Sequence, residues 1–260
     1  MPIGRSPDWS APDGVAALMT GRAGGASVAP WKSLNLGIAV GDATEAVAEN
    51  RQRVAAAAGA APVWLRQVHG ARVVRVGADQ VGHPPLEADA CWTDEPGIAC
   101  AVQVADCLPV LFAARNGRAV AAAHAGWRGL AAGVLEAALD AVARAAGVAP
   151  GEVAVWLGPC IGPRQFEVGE EVVHAFGADP APVEVDPHSQ RFLPRLRADG
   201  SAGWLVDLQG LARDRLHAAG VVAGHIGADR RCTVESASEL FSFRRDGVTG
   251  RMVALVWLRG

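Results

Sequence analysis

Residues 98–147 read IACAVQVADCLPVLFAARNGRAVAAAHAGWRGLAAGVLEAALDAVARAAG, in which three short apolar runs precede one long amphipathic run. The short runs are bounded by glycine or polar residues, which predicts three strands. These strands cover residues 98–104, 109–114 and 119–123. In residues 129–146 the apolar positions recur at helical spacing and Gly147 follows them, which predicts a single long helix.

Strand and helix patterns continue on both sides of this stretch. Helices are predicted at 42–58, with Asp42 or Thr44 as N-cap, and at 206–219. Further strands are predicted at 73–76, 153–157 and 253–258, and surface loops at 82–85 and 179–186. Some gaps between the predicted strands are short enough for a hairpin turn, and others are long enough to contain a helix. We therefore expect an α/β (α+β) fold with mixed sheets. The sequence has no repeat and no low-complexity linker, so we expect one domain over residues 1–260.

Composition excludes several classes of protein. Half of the 260 residues are hydrophobic, which is typical of a globular chain. The net charge of −3 gives no basic footprint for nucleic acid. No apolar run approaches the roughly 18 to 20 residues that span a bilayer, and the N-terminus lacks an apolar signal core, so we expect a cytoplasmic location. Five cysteines without a CxxC pair indicate reduced thiols and no zinc ribbon.

Three segments at strand edges each contain a candidate metal ligand. They are QVHG at 67–70, ADC at 105–107 and HAGWRG at 124–129. Two imidazoles and one thiolate, from His69, His124 and Cys107, form a set that Zn²⁺ uses in catalytic sites with a fourth position open. The alternative is a buried core cysteine and two ordinary polar histidines. The glycines beside both histidines favour the metal site, because they leave room for a metal or substrate.

Two segments suggest anion binding. The predicted long helix begins beside Arg128, and free N–H groups at a helix start favour an anion. A plain strand-to-helix turn with a solvated arginine explains this segment equally well. The glycine-rich segment 20–27, with Arg22, resembles a loop whose amides bind an anion. It lacks the lysine and spacing of a P-loop, so a nucleoside triphosphate site is not expected.

Motifs along nearly the whole chain resemble one family, the multicopper polyphenol oxidase (laccase-domain) family. It is also called the purine nucleoside phosphorylase or peptidoglycan editing factor (YfiH-like) family. The matching motifs are TGRAGGAS (20–27), SLNLG (33–37), GD (41–42), NR (50–51), QVHG (67–70), ADA (88–90), ADCLP (105–109), HAGWRG (124–129), GPCIG (158–162), FEVG (166–169), CT (232–233) and FSFRR (241–245). The resemblance implies a single layered α/β domain similar to the catalytic domain of cytotoxic necrotizing factor.

The resemblance also implies a site and an activity. It makes His69, Cys107 and His124 zinc ligands, and it implies phosphorolysis of adenosine, inosine and methylthioadenosine with deamination of adenosine. Asp106 is our candidate proton shuttle. Motif resemblance and side-chain chemistry together suggest six contacts to substrate and phosphate, namely Arg22, Asn35, Arg51, Arg128, Ser242 and Arg244.

The chain departs from the family pattern at two aromatic positions. Gln165-Phe166 stands where the family usually has Cys-Tyr, and Phe243 stands where tyrosine is frequent. The chain has no tyrosine at all, so any role of those phenols is absent. Substrate preference is therefore less firmly predicted than the metal ligands.

Several functions remain open at this stage. Seven histidines without a His-x-His pair argue against a multicopper oxidase, and Met1, Met19 and Met252 lie away from the motifs, which disfavours blue copper. We expect a zinc-dependent purine nucleoside phosphorylase whose partners are small molecules. The alternative is a Cys–His hydrolase that edits L-Ser-containing UDP-MurNAc peptidoglycan precursors. A metal-dependent binding module for a division or wall-synthesis partner is a third reading. The sequence does not specify an oligomeric state.

Overall fold

The computed structural model describes residues 3–178 and 191–260, which form sixteen strands and six α-helices. In chain order the strands are β1 (Gly4–Arg5), β2 (Val15–Thr20), β3 (Ala61–Val63), β4 (Leu65–Arg66), β5 (Val73–Arg75), β6 (Leu86–Glu87), β7 (Ala90–Thr93), β8 (Ile98–Val104), β9 (Leu108–Ala114), β10 (Val120–Ala125), β11 (Val153–Leu157), β12 (Glu167–Val168), β13 (Phe192–Leu196), β14 (Ala202–Val206), β15 (Ile226–Ala228) and β16 (Met252–Leu258). The helices are α1 (Thr44–Ala58), α2 (Trp127–Ala131), α3 (Val134–Ala146), α4 (Glu170–Ala175), α5 (Leu208–Ala218) and α6 (Phe243–Asp246).

Two mixed sheets form the centre of the fold. The five-stranded sheet has the order β1-β2-β16-β8-β3, with β3 parallel to β8 and the other pairs antiparallel. The six-stranded sheet has the order β15-β11-β9-β10-β7-β5, with parallel pairs only at its two edges. A three-stranded sheet (β12-β14-β13) and the short pair β4-β6 complete the described strands.

Alternation of side chains along the strands produces the layers. On β8, Cys100 and Val102 pack between the two large sheets, whereas Ala99 and Ala101 face the outer side with Val54 of α1. On β9, residues 111 and 113 join the inner core, whereas 110 and 112 pack against α3. The order is helix, sheet, sheet, helix. The predicted α/β fold with mixed sheets in layers is therefore confirmed.

Most predicted strands agree closely with the structure. The strands predicted at 98–104 and 153–157 have the predicted bounds, and those at 73–76, 109–114, 119–123 and 253–258 shift by no more than two residues at either end. Residues 82–85 form an exposed turn and loop, as predicted, and the predicted loop at 179–186 lies outside the described residues. No helix in residues 3–178 and 191–260 has the length and apolar character needed to cross a membrane.

The helix predictions need three corrections. The single helix predicted at 129–146 is wrong, because Gly133 has a left-handed backbone (φ +93°) that separates α2 from α3. The helix predicted at 206–219 begins only at Leu208, because Asp207 caps it by accepting a hydrogen bond from the Gly210 amide at 2.8 Å. For α1 the cap residue is Ala43, without a side-chain cap.

We predict that Gly133→Ala destabilises the protein. A side chain at a left-handed residue costs about 1–2 kcal/mol, and the break between α2 and α3 depends on this conformation. Urea unfolding measures the change. Gly224→Ala is the control, because a Cβ there meets no atom within 4 Å, and we expect a change below about 0.5 kcal/mol. Equal stability of both variants would contradict the prediction.

Candidate functional site

Strand register brings three functional residues to one end of the six-stranded sheet. β10 pairs antiparallel with both β9 and β7, so the end of β10 lies beside the starts of both neighbours. His124 lies near the end of β10, Cys107 immediately precedes β9 and Asp89 immediately precedes β7. The His124 amide also donates to the Asp89 carbonyl at 2.7 Å. These three side chains therefore meet although 35 positions of sequence separate Asp89 from His124.

The fourth residue, His69, reaches the site on the loop between β4 and β5. The Gln67 side chain donates to the Gln103 carbonyl and accepts from the Gln103 amide, both at 2.8 Å, which fixes the loop to β8. The amides of Val68, His69 and Gly70 then donate to the Asp89 carboxylate at 3.1, 2.9 and 2.7 Å. The loop is thus wrapped around one buried carboxylate.

His69, Cys107 and His124 form a compact donor group. Their nearest ligand atoms lie within 4.8 Å of one another, and the Cys107 Sγ is 3.7 Å from the His69 Nε2. A tetrahedral ion with bonds of about 2.3 Å to sulfur and 2.05 Å to nitrogen requires an S–N separation of about 3.6 Å. The group could therefore hold a metal ion with little movement of its donor atoms.

Gly126 explains why the donors can approach one another. A Cβ at this residue would lie 2.8 Å from the His69 Cδ2 and 3.1 Å from the Cys107 Sγ. Gly129 is similarly confined, since its Cβ would lie 2.7 Å from the Gly70 carbonyl oxygen. The glycines of the HAGWRG motif thus allow α2 to pack against the His69 loop.

Two residues of the site have unusual backbone conformations. His69 (φ +62°) and Asp106 (φ +90°) are the non-glycine residues with positive φ in the described part of the chain. Such conformations cost of order 1–3 kcal/mol each and persist only when the surroundings hold them. Asp89 holds His69 through its amide, and Asp106 is held by the Thr233 hydroxyl at 2.5 Å and the Arg244 amide at 2.7 Å.

The buried charges favour a thiolate next to an imidazolium when no metal is bound. Burial raises the pKa of Cys107, but the charges and hydrogen bonds of His124 and His69 outweigh it and lower this pKa to about 6. Burial lowers the pKa of His124, but Cys107 and the hydrogen bond to Asp89 outweigh it and raise this pKa to about 9. Burial raises the pKa of Asp89, but hydrogen bonds from His124 and Gly70 leave it below its usual value.

The donor group lies in a cavity of about 690 Å³ with a strongly cationic lining. Among the described residues, the lining contains five arginines and one carboxylate, that of Asp106. Four of the arginines stack on aromatic rings of the same cavity, which holds their guanidinium groups in place. The pairs, with their distances to the ring centroid, are Arg51–Trp64 (3.9 Å), Arg128–Trp127 (4.3 Å), Arg244–Phe166 (5.8 Å) and Arg251–Phe243 (5.8 Å).

Seven of the ten residues predicted for the site line this cavity. They are His69, Cys107, His124, Asp106, Arg51, Arg128 and Arg244. Arg22 donates to the carbonyls of Ala237 and Lys32 instead, away from the cavity. The other two, Asn35 and Ser242, are fully buried. Asn35 bonds Gly37, Asp42 and Arg251, and Ser242 caps α6.

Both predicted anion segments also differ from expectation. In the segment 20–27 the amides of Gly21, Arg22, Gly25, Ala26 and Ser27 donate to protein acceptors, so they form an internally bonded turn. The helix beside Arg128, α2, has only five residues, whereas the sequence predicted one helix over residues 129–146. Its dipole at the site is therefore small. The free donors at the cavity are therefore arginine side chains.

Sequence reasoning assigned no role to Asp89, Gln67, Thr233 or Arg251. Asp89, Gln67 and Thr233 lie inside matching motifs, but their importance lies in hydrogen bonds to distant residues. A carboxylate between alanines, as in ADA at 88–90, is the one signal that indicates a buried functional aspartate.

We predict that Asp89→Asn weakens metal binding. Asp89 Oδ1 accepts from His69 and His124, and Oδ2 accepts from Val68 and Gly70. In either orientation of the Asn side-chain amide, its NH₂ group faces two of these N–H donors, so two hydrogen bonds are lost. We expect metal affinity to fall about 10–100-fold, measured by chelator competition. Asp94→Asn, at an exposed pair with Arg75, is the control and keeps its affinity.

We predict that Cys107 becomes reactive at unusually low pH in the metal-free protein. The thiolate is the reactive form, so iodoacetamide labelling increases as pH rises, with a midpoint near 6. His124→Ala moves this midpoint upward. Burial raises the pKa of Cys100, so that thiol stays unlabelled in the folded protein. A Cys107 midpoint near the ordinary value of about 8.5 would refute the prediction.

Comparison with known proteins gives consistent results. A purine nucleoside phosphorylase of Pseudomonas aeruginosa is 48% identical over 254 residues, covering 98% of each chain. Escherichia coli YfiH, also named a purine nucleoside phosphorylase, is 45% identical, covering 97% of each chain. The crystal structure of a Neisseria meningitidis protein matches with a TM-score of 0.87 and 44% identity over 100% of both chains. YlmD from Geobacillus stearothermophilus matches with a TM-score of 0.84 and 34% identity, covering 95% of this chain and 93% of that chain.

A family model described as multi-copper polyphenol oxidoreductase laccase matches residues 16–259. The matched range includes the three residues of the donor group, His69, Cys107 and His124, and also Asp89. The chain belongs to this laccase-like family, as its motifs indicated.

Proposed function

We propose that this protein is a zinc-dependent purine nucleoside phosphorylase acting on adenosine, inosine and methylthioadenosine. The observation that carries the proposal is a His₂Cys donor group in a cavity whose lining is strongly cationic. Relatives at 48% and 45% identity are named purine nucleoside phosphorylases. The cavity volume, about 690 Å³, falls in the usual range for small-molecule sites.

The donor set supports zinc over copper. His69, His124 and Cys107 supply the three ligands of a catalytic zinc site. A blue-copper site usually adds a weak axial methionine, but Met19 and Met252 are buried in the sheets and do not line the cavity. When bound, Zn²⁺ would act as a Lewis acid towards an oxygen of the substrates.

The arginines would bind phosphate. Among the described residues, the exposed Arg128 side chain has no hydrogen-bond acceptor, and the Arg244 guanidinium group donates only to the carbonyls of Gln165 and Glu167. Arg66, by contrast, is paired with Glu87. Unpaired guanidinium groups present planar forks of donors that match phosphate oxygens. Arg128 and Arg244 are therefore our first candidates for holding the phosphate dianion.

The aromatic residues would hold the base. Trp127, Phe166 and Phe243 line the cavity, and their rings offer apolar faces to a flat purine. In the reaction a phosphate oxygen forms a bond to C1′ of the ribose, and the bond from C1′ to the purine nitrogen breaks. The leaving purine takes up a proton. The attacking hydrogen phosphate loses one proton as it becomes the sugar phosphate. Asp106 remains our candidate to pass this proton to the purine, and the bonds from Thr233 and Arg244 would hold its carboxyl group in position.

A deaminase activity would use the same groups. Zinc deaminases combine a His/Cys metal site with a carboxylate that transfers protons. Water would replace the 6-amino group of adenosine, with Asp106 as the acid and base. We include this activity in the proposal because Asp106 precedes Cys107 and lines the same cavity as the donor group.

One observation favours a second candidate function. The pKa of Cys107 is lowered to about 6 by His124 and His69, which makes a reactive thiolate. A Cys–His hydrolase that removes L-Ser-containing peptidoglycan precursors would use such a nucleophile without a metal. We place it second because two imidazoles, those of His69 and His124, lie close to the Cys107 sulfur. This arrangement is typical of metal ligands, whereas a Cys–His pair needs only one imidazole.

The test is phosphate-dependent turnover of inosine, adenosine and methylthioadenosine by protein of measured metal content. We expect free purine and sugar 1-phosphate in equal amounts, the sugar being ribose for inosine and adenosine and 5-methylthioribose for methylthioadenosine. Activity should be lost with a chelator and recovered with Zn²⁺. Cys107→Ala should abolish turnover. Activity that survives metal removal but not alkylation supports the Cys–His hydrolase. Absence of sugar 1-phosphate with every nucleoside would exclude phosphorolysis.

The KM for phosphate tests whether Arg128 and Arg244 bind phosphate. Arg128→Gln and Arg244→Gln should each raise KM for phosphate by about tenfold or more, because each loses charged hydrogen bonds. Arg75→Gln, which removes an exposed arginine paired with Asp94, is the control and should leave KM unchanged. An unchanged KM in both cavity variants would show that phosphate binds at another site.

A further inference from the structure

A second cavity, of about 580 Å³, lies next to the first and shares Ile161 with it. It contains two thiols, Cys160 and Cys232, that the proposed reaction does not use. Its lining also includes five arginines, namely Arg164, Arg191, Arg213, Arg230 and Arg231. A thiol pair and a cluster of arginines in one cavity indicate a ligand that is both sulfur-reactive and anionic.

The two thiols are placed as a pair by the backbone. Cys160 and Cys232 are register partners in a parallel bridge, and the Thr233 amide donates to the Cys160 carbonyl at 3.0 Å. Paired strands lie about 4.8 Å apart, which falls within the range of Cα separations found in disulfides. Both cysteines are free and buried. The bridge therefore places the two cysteines side by side, at a backbone spacing of about 4.8 Å that a disulfide can span.

The two sulfurs differ in their hydrogen bonds, because the Cys160 thiol donates to the Ile161 carbonyl at 3.5 Å whereas the Cys232 sulfur accepts from an amide. The Gly162 amide donates to the Cys232 Sγ at 3.2 Å, and a Cβ on Gly162 would lie 3.3 Å from the same sulfur. Cys160 differs, because burial raises the pKa of its thiol well above the ordinary value. Cys232 is therefore the thiol that reacts first and Cys160 the one that follows.

Two of the five arginines in this cavity form no ion pair with a carboxylate of the described residues. Arg164 pairs with Glu235, Arg191 with Asp207 and Asp214, and Arg231 with Asp229 and Glu239. Among the described residues, Arg213 and Arg230 have no carboxylate partner. The Arg213 side chain donates only to the Ile226 carbonyl among the described residues. Burial and the charges of Arg230 and Arg191 lower its pKa, and they outweigh the opposing charges of Asp207 and Asp214. Carboxylates of a ligand would balance these two guanidinium groups.

We propose that this cavity binds a small disulfide bearing carboxylates and transfers its oxidation to the Cys160–Cys232 pair. The Cys232 thiolate attacks one sulfur of the ligand, the ligand's S–S bond breaks, and one half leaves as a thiolate that takes up the Cys232 proton. The Cys160 sulfur then attacks Cys232, and the second half leaves with the Cys160 proton. The protein loses two electrons and two protons, and the ligand gains both.

The pair is connected to the first cavity through Asp106. Thr233 adjoins Cys232 and donates to the Asp106 carboxylate, and Ile161 adjoins Cys160 and donates to the Asp106 carbonyl at 2.9 Å. Asp106 precedes Cys107. Each cysteine of the pair therefore has a sequence neighbour that is hydrogen-bonded to the turn that carries the Cys107 thiol.

Oxidised glutathione is the probe that tests the proposal, on the full-length, reduced, metal-loaded protein. Peptide mass mapping should show a cross-link between the peptides of Cys160 and Cys232. In Cys160→Ser the reaction stops with one glutathionyl group on Cys232. A Cys232 that stays unmodified in the folded protein, yet reacts after denaturation, overturns the proposal.

The arginines are tested by comparing two disulfides. Arg213→Gln with Arg230→Gln should slow modification of Cys232 by oxidised glutathione about tenfold and leave the reaction with neutral hydroxyethyl disulfide unchanged. Arg75→Gln is the control, remote from the cavity, and should change neither rate. For the wild-type protein, added salt should slow only the anionic reagent. Equal behaviour of both reagents would overturn the anionic specificity.

Discussion

The candidate site depends on the hydrogen bonds that the Asp89 carboxylate accepts. This carboxylate is fully buried and accepts four hydrogen bonds, from three consecutive amides of the His69 loop and from the His124 ring. Burying a charge is costly unless it is paired and hydrogen-bonded, and here every acceptor position has a donor. The same bonds hold the left-handed His69 backbone and direct the other nitrogen of His124 towards Cys107. One carboxylate thus sets the position of two of the three donors, which is the usual task of a carboxylate behind a metal-bound histidine.

The cationic cavity follows from a different constraint, the pairing of arginines with aromatic rings. Several exposed arginines of the described chain are neutralised by carboxylates, as Arg75 and Arg164 are. Four of the five cavity arginines stack instead on Trp64, Trp127, Phe166 and Phe243, and stacking leaves their charge available. A site that presents unpaired guanidinium groups beside apolar rings suits a ligand with an anionic part and a flat part. Purine nucleoside with phosphate meets that description.

The sequence predicts the central strands and the donor group well, and the supporting contacts poorly. Strands at 98–104 and 153–157 are recognised because short apolar runs end at clear breaks. The break at Gly133 is missed because the apolar spacing continues through it. Family motifs identify His69, Cys107 and His124, whereas Arg22 and Ser242 lie in equally clear motifs yet bond the protein itself. The Ala237 carbonyl to which Arg22 donates lies 215 residues away in the sequence, and no local pattern contains that information.

The path of the His69 loop has a mechanical consequence. Through Gln67 the loop is tied to β8 of the five-stranded sheet, and through Asp89 it is tied to the start of β7 in the six-stranded sheet. Cys107 and His124 belong to the latter sheet, so an ion shared by the three donors would clamp the two sheets together. A ligand that binds only the folded chain adds about 2.7 kcal/mol to its stability at 100 times the dissociation constant. Heat resistance of the whole domain would therefore report the occupancy of a site that lies at one end of it.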